Sequence, residues 1–408
     1  MPRAFLPPLL GFVFSALLVR ATEPSLAWEE LPPLPPSAGQ SSQPGMAGPF
    51  AGVHGDALIV AGGANFPAAR PWDGGAKVWW DDIWVLENLS TNTPRWAADA
   101  RLKLPRPLGY GVSVSVPEGV ICVGGHDAER CYADVILLSW DATKRELRRT
   151  DLPPLPQPLS FMAGALVGNA LYVAGGQSVM RDAVPLSVFW RLDWSARARP
   201  GDLKWEQLPS WPGPARILPA AAAQRNESGE GFYLFGGRAA RSGGPTELFR
   251  DAYVYNPDTR RWRKLPPVGG GSGVSVMGAT AAPAGFETVL VFGGDRGDVF
   301  RELEAHDLAI ARLRAGLTAA SAEEQRGRET EIAARLESKR RIYESHPGFS
   351  PTVLAFDTRR ETWRVVADAP RGLPVTTVAV KRGATVVIPS GETKPGVRTA
   401  SVLRLRLE

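Results

Sequence analysis

Cysteine and histidine are scarce in this chain: Cys122 and Cys131, with His54, His126, His306 and His346, are all that 408 residues contain. Two cysteines cannot staple a disulfide-rich scaffold. The histidines fall in different segments, which argues against a copper oxidase site with paired His ligands, Tyr ligands and a Cys–Tyr crosslink, and equally against a metal site built from the two cysteines and His126. Beyond the first twenty residues no apolar run approaches the length of a membrane span. Charge of one sign is not in large excess either, with 47 Lys and Arg against 42 Asp and Glu and a formal net charge of +5. The arginines are scattered rather than gathered in a stripe with aromatic platforms, so nucleic acid is not an expected partner. The mild positive balance suits an anionic small molecule.

Glycine (43), proline (37) and tryptophan (13) are plentiful, and they recur in order. Six apolar runs end in Gly-Gly or a close variant: Ala61-Gly62-Gly63, Val123-Gly124-Gly125, Ala174-Gly175-Gly176, Phe235-Gly236-Gly237, Phe292-Gly293-Gly294 and Pro389-Ser390-Gly391. A loop of variable length follows each, then a second strand-like run such as Asp82–Leu86 or Val353–Phe356. Next comes Trp96, Trp205, Trp262 or Trp363 before a Leu-Pro or Ala-Pro turn, with Leu147 in the Trp position of the second unit. A period of about 50–65 residues with these landmarks predicts an all-β fold, a six-bladed Kelch β-propeller with one four-stranded sheet per unit. No blade can bury both faces alone, so residues 28–408 are expected to form one ring rather than several domains. The sixth unit has no Trp strand after Val402–Leu405; its counterpart is Trp28-Glu29-Glu30-Leu31-Pro32-Pro33, and this N-terminal strand is expected to close the ring and remove an open sheet edge.

Residues 1–21 read as an export signal, Arg3 preceding the apolar stretch Leu9–Val19, with small residues suiting cleavage after Ala21 or Ala27. The mature protein is therefore expected in the periplasm or secreted, off the membrane. In that oxidising setting Cys122 and Cys131, flanking one Gly-Gly loop, are either a hairpin-spanning disulfide or free thiols.

The segments that follow the Gly-Gly pairs all lie on one face of such a ring, and loops on one face of a rigid scaffold are where chemistry concentrates. The fifth holds residues 300–346, where Leu303, Leu308, Ile310, Leu313 and Leu317, then Ile332, Leu336 and Ile342, recur near helical spacing. This helical insert is read either as a hairpin packed on the rim or as a lid. The residues directly after the Gly-Gly pairs are Ala64, His126, Gln177, Arg238, Asp295 and Glu392, five of them polar and aimed toward the axial mouth, as a small polar ligand requires. Asn65, Arg106 and Arg216 are further candidate pocket residues. In the sixth unit Glu392 and Arg398 are separated by Thr393-Lys394-Pro395-Gly396-Val397, and Pro395-Gly396 reverses the chain so that both can face one pocket. An arginine there can capture a carboxylate in bidentate fashion, and a glutamate can take and return a proton; a plain rim ion pair is the alternative.

At this segment the chain resembles the Kelch-type N-acetylneuraminate epimerases, or sialic acid mutarotases. The resemblance is carried by Gly391–Thr399, by Ala47–Gly52 with Ala61–Phe66, and by Tyr110–Ser113. Blade order matches the cyclically permuted subgroup. The resemblance implies that Glu392 is the catalytic acid–base, that Arg398 binds the substrate carboxylate, and that neither metal nor organic cofactor takes part. It implies an acidic sugar as the small-molecule partner; Asn65, His126, Gln177 and Arg216 are candidate binding residues from their place in the chain alone. The Ala- and Arg-rich insert departs from the family, as does His126 where relatives carry Glu. A non-catalytic propeller binding a glycan or protein through Trp72, Trp79 and Trp80 is the competing reading.

Overall fold

The computed structural model describes residues 26–98, 102–241, 243–318 and 320–407. Six four-stranded antiparallel sheets surround a central axis. Their innermost strands are Phe50–His54, Val112–Val116, Ala163–Val167, Ala220–Asn226, Thr280–Ala284 and Val380–Arg382, which number the blades 1 to 6. These strands are built from small residues, and Ala51, Ser113, Ala165, Ala222, Ala281 and Ala379 line an axial tunnel of about 270 Å³. The second strand of each blade is a nearly unbroken apolar run, such as Ala57–Ala61 or Gly119–Val123, because both of its faces are covered. Among the described residues six of the apolar clusters lie one between each pair of neighbouring blades; that between blades 6 and 1 joins Leu31, Val387 and Val402 to Leu58, Val60 and Trp84.

The ring closes as the repeat implies. Leu26–Leu31 pairs antiparallel with Val402–Leu407, Leu26 opposite Leu407 and Leu31 opposite Val402, and so supplies the outermost strand of blade 6. Buried Arg404 secures the join, donating to both carboxylate oxygens of Glu29 (2.6 and 3.0 Å) and to the Leu89 carbonyl of blade 1 (2.7 Å). The expected export signal lies outside the described residues. Among the described residues no helix is long and apolar enough to cross a membrane.

The outer tryptophans and the Pro turns of the repeat prove to be two halves of one contact. In blades 1, 3, 4 and 5 the indole N–H donates to the proline carbonyl that follows the outermost strand of the preceding blade: Trp96 to Pro32 (3.1 Å), Trp205 to Pro153 (3.0 Å), Trp262 to Pro209 (2.8 Å) and Trp363 to Pro266 (3.3 Å), whereas Trp28 of blade 6 has no such partner among the described residues. The Gly-Gly pairs have a similarly local cause. In blade 1 Gly62 and Gly63 take φ of +64° and +96°, and a Cβ on Gly62 would lie 2.2 Å from the Leu108 carbonyl of the next blade. Blade 6 places Ser390 at φ +58° in the same position, where its hydroxyl accepts from the Met46 N–H (2.7 Å) and reaches the Thr399 carbonyl (2.6 Å).

The cysteines are free. Cys122 points into the apolar cluster between blades 1 and 2, whereas Cys131 sits in the loop beyond, its sulfur 3.2 Å from the Ser160 hydroxyl and 3.7 Å from the Met180 sulfur. The disulfide reading is corrected: neighbouring segments of one blade carry the two thiols into different surroundings.

Between the second and third strands of blade 5 stand two helices, α1 (Asp298–Ala315) and α2 (Ala322–Ser345). α2 starts with a reciprocal Ser321–Glu324 capping box. Leu303 and Ile310 are the buried residues of α1, and α2 buries none completely.

Candidate active site

Six backbone hydrogen bonds form the floor of the mouth. The residue leading toward each innermost strand donates its N–H to the equivalent carbonyl of the neighbouring blade: Tyr110 to Gly48 (2.7 Å), Phe161 to Tyr110 (2.9 Å), Leu218 to Phe161 (2.8 Å), Gly278 to Leu218 (3.1 Å), Thr376 to Gly278 (2.8 Å) and Gly48 to Thr376 (2.6 Å). This collar is a closed circle. All six residues have φ between +50° and +69°, four of them without being glycine. For those four a left-handed conformation costs about 1 kcal/mol or more each and persists because the circle of blades imposes it.

The residue before each collar position pairs with the residue after a Gly-Gly: Ala47 with Ala64, Gly109 with His126, Ser160 with Gln177, Ile217 with Arg238, Met277 with Asp295 and Val375 with Glu392. Fixed pairing therefore seats those six residues at equivalent points above the collar, one per blade.

Glu392 and Arg398 come together in a small hairpin of their own, Glu392–Lys394 against Val397–Arg398, in which they are direct partners in register. Glu392 Oε1 accepts from the Gly396 N–H at 2.7 Å and lies 3.2 Å from Arg398 Nη1. The guanidinium is only 5 % exposed and lies over the Phe66 ring at 4.6 Å. Its Nε and Nη1 have no hydrogen-bond partner among the described residues, so the ion pair is close in distance but not aligned as a hydrogen bond. A cavity of about 310 Å³ opens beside it, lined by Pro44, Phe66, Arg70, Gly396 and Val397.

The C-terminal end of α2 reaches this hairpin. Lys394 Nζ donates to the Glu344 carbonyl (3.1 Å), and the Phe349 N–H, just beyond the helix, donates to the Thr393 carbonyl (3.0 Å). Tyr343 stacks on Trp72 of the first loop, ring centroids 5.1 Å apart and planes within 7°.

His126 occupies an aromatic corner. It stacks on Tyr110 (4.9 Å) and contacts Phe161 (4.8 Å) and Trp79 (5.5 Å), with Lys77 Nζ above the rings of Tyr110 and Trp79. Nδ1 faces the Asp127 carbonyl at 2.7 Å, and Nε2 is buried without a partner. Burial pushes the imidazole down to about 4, with the Lys77 charge adding to the shift against the opposing Asp127 carbonyl. Because the folded value lies below the ordinary 6.5, the unfolded chain binds the proton first. The stabilisation is complete above about 6.5 and is lost as pH falls toward 4. Urea unfolding at pH 7 and pH 4.5 should show a loss through this group of about 2 kcal/mol. His126→Phe, which keeps the stack, should flatten that part of the pH dependence; an unchanged slope would contradict it.

The other candidates divide. Asn65 is buried and holds the first loop, donating to the Gly45 carbonyl (3.0 Å) and accepting from Trp80 Nε1 (2.9 Å). Gln177 donates to the Val179 carbonyl at 2.8 Å. Arg106 pairs with Asp134 (3.2 Å) over the Tyr132 ring, away from the hairpin. Arg216 is not brought to the mouth: its side chain is 0 % exposed and clamped between blades 3 and 4 by Asp251 (2.6 and 2.8 Å) and the Gly236 carbonyl (2.8 Å). Burial alone would raise the Asp251 carboxyl, but Arg216 and Tyr253 outweigh it and hold the group below its usual range. Trp72, Trp79 and Trp80 are half-buried packing residues rather than a free recognition surface. The aromatic corner escaped sequence reasoning because its members are far apart in the chain; the signal was Tyr110 and Phe161 standing where blades 1 and 5 carry Gly48 and Gly278. Among the described residues, no group of three or more His, Cys, Asp or Glu side chains is placed to hold a metal ion.

Comparison with known proteins bears on this arrangement. A family model described as N-acetylneuraminate epimerase matches residues 15–147 and 152–408. Similar curated proteins include the N-acetylneuraminate epimerases of Brucella melitensis, 38 % identical over 136 residues (31 % of this chain and 33 % of the relative), and Haemophilus influenzae strain 86-028NP, 27 % identical over 251 residues (61 % and 57 %). That of Salmonella enteritidis is 38 % identical over 113 residues, 26 % of this chain and 28 % of the relative. The chain spans about a third of the length of the Brucella relatives it matches.

Proposed function

The chain belongs to the N-acetylneuraminate epimerase family, and from that membership we propose that it interconverts the α and β anomers of N-acetylneuraminate by ring opening and reclosure under general acid–base catalysis. One observation carries the reading: a glutamate and a nearly buried arginine face each other in register at the axial mouth, the arginine with unpartnered N–H groups. A guanidinium in that condition is prepared for a carboxylate, and the anomeric carbon of sialic acid bears one.

Glu392 takes the proton of the anomeric hydroxyl as the ring C–O bond breaks, and water or a neighbouring acid delivers a proton to the ring oxygen. The open-chain keto acid turns its other carbonyl face toward the ring hydroxyl while Arg398 holds the carboxylate, and closure returns the proton. No atom changes oxidation state, so the reaction as written needs no redox cofactor. The fixed bond from the Gly396 N–H to Oε1 orients the carboxylate. The reading includes action in the periplasm or outside the cell, supported by the apolar stretch Leu9–Val19 behind Arg3.

The test is proton NMR of α-sialic acid freshly released by a sialidase, followed in time with and without the protein. Faster appearance of the β anomer is expected. A folded protein that leaves the spontaneous rate unchanged would overturn the reading.

A further inference from the structure

We propose that Asp295 is the second catalytic group of this reaction, delivering a proton to the ring oxygen while Glu392 removes one from the anomeric hydroxyl. The inference rests on the mutarotase reading above and adds a residue to it. Ring opening moves two protons at neighbouring oxygens of one carbon. A single carboxylate would have to shuttle between them, whereas two carboxyl groups need not.

Geometry supplies the second group. Asp295 has in blade 5 the seat that Glu392 has in blade 6, each paired with the residue before the collar, so the two stand on adjacent blades at the same level of the mouth. Their neighbours differ. Glu392 faces the Arg398 guanidinium at 3.2 Å. Asp295, by contrast, forms no ion pair within 4.0 Å among the described residues, and the hydrogen bond its carboxyl accepts there is from the Gly297 N–H at 2.8 Å. It is half-buried and lines a cavity with His346 and Phe349. Burial raises its proton affinity above the ordinary carboxylate range, and the charges of Glu392 and Asp298 push the same way against the Gly297 N–H and Arg238. Carboxyl groups whose surroundings differ in this manner divide the roles of acid and base between them.

Arg238, in the corresponding seat of blade 4, is within electrostatic reach of Asp295, Glu392 and Glu304, and its Nε is buried without a partner. Whichever of the two catalytic carboxyls is ionised therefore has a cation to face. In opening, the Glu392 carboxylate accepts the anomeric proton, the O–H pair becomes the carbonyl π bond, and the ring C–O pair takes the Asp295 proton. The open keto acid then stands beside neutral Glu392 and ionised Asp295. In closure on the opposite face Asp295 takes the hydroxyl proton, that oxygen attacks the carbonyl, and the carbonyl oxygen recovers the proton of Glu392. Both groups end as they began.

Asp295→Asn keeps the size of the side chain and an oxygen for the Gly297 N–H, so the ring should fold. Anomer exchange measured by NMR from pH 4 to 9 should give a kcat about 10²- to 10³-fold below wild type with KM little changed. The wild-type kcat/KM should fall as rising pH deprotonates Asp295, and that limb should vanish in Asp295→Asn and return, with part of the rate, in Asp295→Glu. A kcat of Asp295→Asn within twofold of wild type, or an unaltered alkaline limb, would overturn the assignment while leaving Glu392 and the mutarotase reading in place. Absence of acceleration by the wild type would overturn both.

Discussion

Glu392→Gln should leave a folded propeller that no longer accelerates anomer exchange, a loss of about 10²- to 10⁴-fold, the range that a positioned proton acceptor contributes. The substitution is conservative in shape: a glutamine Oε1 can still accept from the Gly396 N–H, which fixes the hairpin at 2.7 Å. What disappears is the proton acceptor. Arg398 loses its counter-charge but keeps its seat over Phe66, so substrate affinity should change much less than turnover. NMR exchange rates for both proteins, with circular dichroism as the check on folding, measure the difference. Full activity in the folded variant would remove Glu392 from the mechanism.

Asp251→Ala should destabilise the ring by about 3–5 kcal/mol without touching the mouth, because it strands a buried cation. Arg216 is enclosed by the rings of Trp211, Phe249 and Tyr253, with centroids 5.4, 4.5 and 5.6 Å from its guanidinium carbon, and by the carbonyls of Pro214 and Gly236. Those groups cannot neutralise a full charge, whereas the two-pronged contact to Asp251 does. Urea unfolding should show the midpoint displaced with little change in slope, since the surface exposed on unfolding is the same. A loss under 1 kcal/mol would mean that water or a neighbouring carboxylate reaches Arg216 in the variant.

The contrast between these two sites shows what could be read in advance. The ring was legible because its signals repeat: a pattern seen six times specifies blade number, strand order and the closing strand, as the Leu26–Leu31 pairing with Val402–Leu407 bears out. The meeting of Glu392 with Arg398 was legible for a local reason, since a five-residue reversal leaves few other arrangements. Arg216 was misplaced because its role depends on Asp251, 35 positions away, and one-dimensional order gives no clue that two such residues share a dry interface. The cysteines are similar: nine positions apart, they diverge because one lies in a strand facing a neighbouring blade and the other in a loop. His126 was picked out as a polar residue at the mouth, but its neutral, stacked state comes from Tyr110, Phe161 and Trp79, which other blades and loops deliver.

The collar has a consequence for how such a molecule acquires its preferences. Each amide N–H in that circle already donates to a neighbouring blade, so the platform at the mouth offers little main-chain recognition of its own. Discrimination falls to side chains instead, Arg398 and those seated above the collar among them. Those seats are held by backbone pairing that is indifferent to what they carry, and alanine, histidine, glutamine, arginine, aspartate and glutamate all occupy them here without altering the frame. A lineage can thus exchange the groups in these seats one socket at a time while the ring of blades stays as it is.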